Sequence, residues 1–335
     1  MEKPQSHPPI EDRLAWVQSQ IDRLTGAISE VIVGQKEVVE GTLIGLFTGG
    51  HILLEGVPGV GKTLLVRTLS DALDLSFSRV QFTPDLMPTD IVGTHILNVS
   101  DEGERVFSFR PGPVFTHILL ADEVNRATPK TQSALLEAMA EQRVTVGTET
   151  HSLQAPFFVM ATQNPLEMEG TYPLPEAQLD RFMFKLQVPF PSRADLHTIV
   201  ERTVAPEVVS VQPVMTGADI LEIRRLALGC PCAHHVTDLA IRLVEATHGG
   251  ATTAQKYLRA GASPRAVQAL VVGSKMRAIF DGRANVSTED IRALTPAVLS
   301  HRVLLNFDAE ADGVTPHQVI DALLKEIPDD SKSTM

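Results

Sequence analysis

The stretch "LLEGVPGVGKTLLVRTL", Leu53 to Leu69, joins a short apolar run to a helical pattern through a glycine-rich loop. Gly56, Gly61, Lys62 and Thr63 fit the pattern G-x-x-x-x-G-K-[ST], with Val57, Pro58, Gly59 and Val60 filling the loop between them. In such a loop, backbone N–H groups wrap nucleotide phosphates, the Lys ammonium reaches the terminal phosphates and the Thr hydroxyl ligates Mg²⁺. An ordinary Gly-rich strand-to-helix turn is the competing reading, and the flanks weigh against it. His51 to Glu55 reads as a buried strand, and Leu64, Leu65, Val66, Leu69, Ala72 and Leu73 recur at helical spacing. Strand, glycine loop and helix in that order aim helix N–H groups and the positive end of the helix dipole at an anion.

Working outward, apolar runs of strand length recur at Ser76 to Gln81, Thr116 to Ala121, Phe157 to Thr162 and Phe184 to Val188. Five such runs separated by helical or hairpin patterns predict an α/β fold with a parallel sheet covered by helices on both faces. Beyond Pro189 and Pro191 the period becomes helical throughout, as in Val236, Leu239, Ala240, Leu243 and Val244. Ser263-Pro264 reads as a cap followed by Pro in the first turn, and Ser287 with Asp290 resembles a capping box. The expected organisation is a tail at residues 1–14, an α/β core at 15–191, an all-helical domain at 192–327 and a frayed end at 328–335.

Two segments break the α/β rhythm. "THILNVSDEGERVFSFRPGP", Thr94 to Pro113, and "RVTVGTETHSL", Arg143 to Leu153, each offer two extended runs around a turn, either a projecting hairpin or a surface loop.

The chain has 335 residues, 43% hydrophobic and 21% charged, enough for one large or two ordinary domains. Its polar, Pro-rich start does not read as a signal peptide, and no apolar run has membrane-spanning length, so a cytoplasmic protein without membrane insertion is expected. Lys+Arg 29 against Asp+Glu 41 gives a formal charge of −12, which disfavours nucleic acid as a partner. The two cysteines fall in "GCPCAHH", Gly229 to His235, where a loop at a helix start is a simpler reading than a metal site.

The glycine loop needs a partner carboxylate, and "HILLADEVNRA" supplies one, with apolar Ile118 to Ala121 delivering Asp122 and Glu123 to the carboxyl end of a strand. There Asp122 would hold Mg²⁺ through water and Glu123 would polarise the attacking water. A charge pair in a helix's first turn is the alternative. The later strand ends in "VMATQNP", where Asn164 either hydrogen-bonds the attacking water or terminal phosphate, or starts the turn before Pro165.

"GVPGVGKT", "LLADEVNRATPKTQSALLEAMAEQRVTV", "MATQNPLEMEGTYPLPEAQLDRFMF" and "GASPRA", in this order, resemble the MoxR family of AAA+ ATPases from about Val31 to His301. The resemblance implies an AAA+ P-loop core with five strands and a helix-2 insert hairpin, a C-terminal helical lid and a ring, usually a hexamer. It implies ATP and Mg²⁺ as cofactors. It places Asn164 at the sensor-1 position, Arg181 of "QLDRF" at the arginine-finger position and Arg265 of "GASPRA" at sensor 2. An Arg finger stabilises charge developing on the γ-phosphate of a neighbouring subunit. Without the resemblance, surface ion pairs would be the expected fate of both arginines. Val33 and Gly34 of "VIVGQKEV" resemble the adenine-contacting segment, and Gln81, at a strand end, is placed to hold Glu123 in an inactive pose. His248 of "VEATH" stands where relatives usually carry Arg.

By resemblance, the function is chaperone-like remodelling in which ATP hydrolysis matures, activates or supplies metal or cofactor to a client enzyme complex, with a partner containing a von Willebrand factor A domain. A helicase-like nucleic-acid motor and a slow nucleotide switch are the alternatives. A metabolite kinase would share the loop but has little use for Glu123 as a water-activating base.

Overall fold

The computed structural model describes residues 9–99, 105–164, 170–204 and 211–328. The expected tails within 1–8 and 329–335, the tip of the first hairpin at 100–104 and the turn at Pro165 lie outside the described residues. The chain divides into two compact units, residues 28–217 and, together, residues 1–27 and 218–335.

The first unit contains α2 (Lys36–Thr48), β1 (Ile52–Glu55), α3 (Lys62–Ala72), β2 (Phe77–Gln81), α4 (Pro88–Val92), β3 (Gly93–Val99), β4 (Arg105–Pro111) and β5 (Ile118–Asp122). It continues with α5 (Pro129–Glu141), β6 (Arg143–Val146), β7 (Glu149–Ser152), β8 (Phe158–Gln163), α6 (Glu176–Leu179), β9 (Phe184–Gln187) and α7 (Arg193–Val204). The predicted five-stranded sheet is present in the order β2-β5-β8-β1-β9, with parallel pairing throughout. Central strands β5 and β8 are buried almost throughout, as strands covered on both faces must be, whereas edge strand β2 is largely uncovered. That difference explains why "FSRVQ" carries Arg79 and Gln81 within a strand. Val80, Leu119, Ala121, Val159, Leu135 and Met139 belong to one buried apolar cluster, in which a fully buried Val, Leu or Met side chain contributes about 1.5–3 kcal/mol over exposure.

Register sets the functional edge. Gln81 lies opposite Asp122 and Glu55 opposite Gln163, so the carboxyl ends of four strands finish close together. Both predicted hairpins form, β3 with β4 and β6 with β7, each as an antiparallel pair. Pro129 opens α5 in its first turn, and the preceding Thr128 hydroxyl lies 3.3 Å from that of Thr131 and makes no cap bond.

The second unit holds the greater part of α1 (Ile10–Val31), then α8 (Gly217–Leu228), α9 (His234–Glu245), α10 (Thr252–Tyr257), α11 (Pro264–Phe280), α12 (Thr288–Leu299), α13 (Phe307–Ala311) and α14 (Pro316–Glu326). Ser263 accepts from the Arg265 N–H, and Ser287 with Asp290 forms the predicted capping box. "GCPCAHH" leads into α9. One departure from an all-helical pattern is the short antiparallel pair β10 (Leu258–Ala260) with β11 (Leu304–Leu305), too short to leave a period in the sequence.

Two expected boundaries differ from this division. Helix α1 starts at Ile10, inside the expected tail, because Leu14, Val17, Ile21 and Leu24 form a buried stripe. Residues 192–217 fall with the α/β unit rather than with the helices. Arg202 of α7 donates to the carbonyls of Ser29 and Glu30 at 2.9 and 2.6 Å, and the Val214 N–H to Ala72 O at 2.7 Å. Among the described residues, no helix is long and apolar enough to cross a membrane.

Candidate active site

At the carboxyl edge of the sheet, the loop from β1 to α3 opens onto a cleft of about 380 Å³. Pro58, Gly59, Gly61, Lys62, Thr63, Asp122, Glu123 and Asn164 line it, together with Leu64, Arg79 and Gln81. Gly59 and Gly61 have φ of 82° and 89°, and a Cβ at either would meet nothing within 4 Å. Glycine is needed there for backbone conformation, and the space beside it stays open for a ligand to approach. Gly56 serves packing instead, since a Cβ there would lie 2.9 Å from Val188 O. Gly56, Val57 and Val60 are not among the residues lining the cleft.

Gly61 is the N-cap of α3, so the first-turn N–H groups of Lys62 and Thr63 open the helix at the cleft. Lys62 Nζ donates to Gly56 O at 2.5 Å and Val57 O at 3.4 Å, which folds the ammonium back over the loop. Burial lowers the Lys62 pKa, opposed by the charges of Asp122 and Glu123.

Thr162 of β8 fixes both carboxylate residues: its hydroxyl donates to Asp122 Oδ1 at 2.6 Å and accepts from the Glu123 N–H at 2.8 Å. Asp122 Oδ2 accepts from Arg79 Nη2 at 2.6 Å and Nε at 3.2 Å. Glu123 has φ of 56°, a left-handed conformation that costs a non-glycine residue about 1–2 kcal/mol and persists where neighbours hold it. Its Oε2 accepts from Gln81 Nε2 at 2.7 Å and Arg126 Nη1 at 2.9 Å. The pose-holding contact expected of Gln81 is thus present.

Asn164 follows β8 directly, is buried and faces this cleft. Val33 and Gly34 precede α2, Gly34 with φ of 68°, and the neighbouring Gln35 donates through Nε2 to Val60 O at 3.0 Å, which ties this segment to the glycine loop. Arg181 follows α6, is exposed, and donates to Leu136 O at 3.2 Å; it does not line the cleft. Arg265 is exposed on the first turn of α11, in the other unit. His248 reaches Ala262 O at 2.9 Å through Nε2, which must carry the proton to donate to a carbonyl.

Sequence reasoning missed Arg79, Arg126, Thr162 and Gln35. A signal existed for two of them: Arg79 and Gln81, like Thr162 and Asn164, are two residues apart at a strand end, so each pair shares a face.

The donor set suits a magnesium nucleotide: an open glycine cradle at a helix start, a Lys ammonium, a Thr hydroxyl and a strand-end carboxylate. Thr63 and Asp122 would hold the metal, which supplies charge neutralisation on phosphate oxygens. Fold and cleft together define a P-loop ATPase of the AAA+ class.

Comparison with known proteins agrees. Residues 51–184 match the family model described as the ATPase family associated with various cellular activities (AAA), and residues 250–323 match the AAA lid domain. The chain is 43% identical over 311 residues to "Chaperone MoxR1" of Mycobacterium tuberculosis, covering 92% of this chain and 81% of that protein. It is 30% identical over 333 residues to "Protein MoxR" of Methylorubrum extorquens, covering 91% and 94%. A solved structure from Cytophaga hutchinsonii matches with TM-score 0.88 and 42% identity over 95% of this chain and 97% of that one. The chain belongs to the MoxR family of AAA+ ATPases and is an ATPase.

Proposed function

We propose that this ATPase binds ATP with Mg²⁺ in the cleft between its glycine loop and the Asp122-Glu123 strand end, and works as a chaperone-like remodeller of a partner complex. The observation that carries the proposal is the convergence of Lys62, Thr63, Asp122, Glu123 and Asn164 on one cleft. Glu123 is the base that polarises water, Asn164 orients that water or the terminal phosphate, and Lys62 with the α3 N–H groups takes the phosphates. Val33 and Gly34 take the adenine side, and Arg265 engages the γ-phosphate from the helical lid.

Arg181 acts on the nucleotide of a neighbouring subunit in a homo-oligomeric ring, a hexamer by family resemblance. Its exposure and its place outside the cleft support a role in trans. The name of the mycobacterial relative, together with family resemblance, supports chaperone work in maturation, activation or metal and cofactor insertion, with a protein carrying a von Willebrand factor A domain. Pull-down from native lysate with Glu123→Gln, set against Lys62→Ala, tests this role. Retention of such a partner or of an unfinished metalloenzyme by Glu123→Gln alone supports it, and equal recovery with both variants counts against ATP-dependent remodelling.

A further inference from the structure

A continuous run of side-chain hydrogen bonds joins the two carboxylates of the cleft. Arg79 Nη2 donates to Asp122 Oδ2 at 2.6 Å and to Gln81 Oε1 at 3.0 Å, and Gln81 Nε2 donates to Glu123 Oε2 at 2.7 Å. Arg79 and Gln81 stand two apart on β2, beside β5, so both project from one face of the edge strand toward the end of its neighbour. The Arg79 side chain is 47% exposed and that of Asp122 13%. An ion pair this open adds little to stability, so its consequence lies in the oxygen it occupies. Thr162 takes Asp122 Oδ1 and the Arg79 guanidinium takes Oδ2, so neither carboxylate oxygen reaches a cation without exchanging or sharing a partner.

We propose that Arg79 is a positioning residue that competes with Mg²⁺ for Asp122 and, through Gln81, ties that exchange to the pose of Glu123. The inference rests on the magnesium-nucleotide reading of the cleft. A guanidinium stays charged at every working pH and is repelled by a divalent cation whose bound water needs the same carboxylate. Its exposure leaves room to swing clear. Leaving Asp122 also carries Nη2 away from Gln81 Oε1, which releases the amide that donates to Glu123. Arg79 thereby sets a magnesium threshold below which Gln81 stays on the catalytic carboxylate, beside the Arg126 contact at 2.9 Å.

The test titrates Mg²⁺ into the full chain with the fluorescent probe mant-ADP and compares native protein with Arg79→Gln and Arg79→Lys. Arg79→Gln is expected to lower the half-saturating Mg²⁺ concentration roughly tenfold, the scale of removing one competing charge from a partly screened site. Arg79→Lys keeps the charge and loses the fork, so its midpoint should return most of the way to the native value. Mant-ADP affinity in EDTA should be the same in all three proteins, a result that a structural lesion or a phosphate contact from Arg79 would not give. An Arg79→Gln midpoint equal to or above the native one, or a loss of its affinity in EDTA, overturns the competition. If native protein binds mant-ADP but shows no Mg²⁺ dependence, the metal role of Asp122 and Thr63 falls first and the competition falls with it. If native protein does not bind mant-ADP at all, the nucleotide reading itself is overturned.

Discussion

Asp122 and Asp290 are both carboxylates held by arginine, yet they are held in opposite ways. Asp290, in the helical unit, has a side chain with no exposed surface and accepts from Arg277, twice from Arg283, and from the N–H and hydroxyl of Ser287. Every partner is local to α11, α12 and the turn between them, and none can leave without stranding a buried charge. Asp122 shares its oxygens between one buried Thr and an arginine that is nearly half exposed. The contrast separates a carboxylate that builds structure from one whose partner can be exchanged.

The comparison breaks first if the α/β cleft proves to be structural as well. Arg181→Ala should reduce turnover roughly a thousandfold, the usual worth of an arginine finger, while mant-ATP binding persists. Turnover per native subunit should also rise with protein concentration. A steady-state phosphate-release assay that finds turnover independent of concentration and unharmed by Arg181→Ala would remove the shared-site model. Glu123→Gln should lower kcat about a hundred- to ten-thousandfold, the range for loss of a general base, with nucleotide affinity retained.

Stability measurements sharpen the other side. Asp290→Ala removes the buried carboxylate that Arg277, Arg283 and the Ser287 cap share and should cost about 3–5 kcal/mol, whereas Arg79→Gln should cost about 1 kcal/mol or less. Urea unfolding followed by circular dichroism separates the two, and similar costs would erase the distinction. Burial pushes the Asp290 pKa up, but hydrogen bonds from Arg283 and Ser287 outweigh it and hold the pKa below its ordinary 3.8. The stabilisation is therefore present above pH 3.8 and is lost as pH falls through the lower folded value. The gap between native and Asp290→Ala melting temperatures should narrow on acidification, and a gap that widened would contradict this sign. Gly61→Ala falls between Asp290→Ala and Arg79→Gln, since a left-handed φ of 89° costs a side chain about 1–2 kcal/mol in a thermal melt although the space is open.

Much of the fold was legible because its signals are local. The glycine loop and the apolar strand ending in Asp122 and Glu123 each declare themselves within about twenty residues, whereas the extended runs at Thr94 and Arg143 fitted a hairpin and a surface loop equally. The helical start at Ile10 was obscured by the Pro-rich residues before it, although Leu14, Val17, Ile21 and Leu24 keep a helical period. The short β10 and β11 pair carries too few residues to show alternation.

By itself, then, the sequence determined the phosphate-binding loop, the strand that bears the paired carboxylates and the α/β class, since each depends on residues that are neighbours in the chain. Tertiary structure decided which partners those carboxylates keep. Arg79 and Asp122 are 43 residues apart and meet only because β2 lies beside β5 in the sheet. Strand order likewise brings Thr162 under Asp122 and Gln81 to Glu123, and the packing of α1 decides which unit owns the first helix. Such pairings follow from sheet order and helix docking, which hydrophobic period does not encode, because it reports which face of an element is buried and not what that face meets.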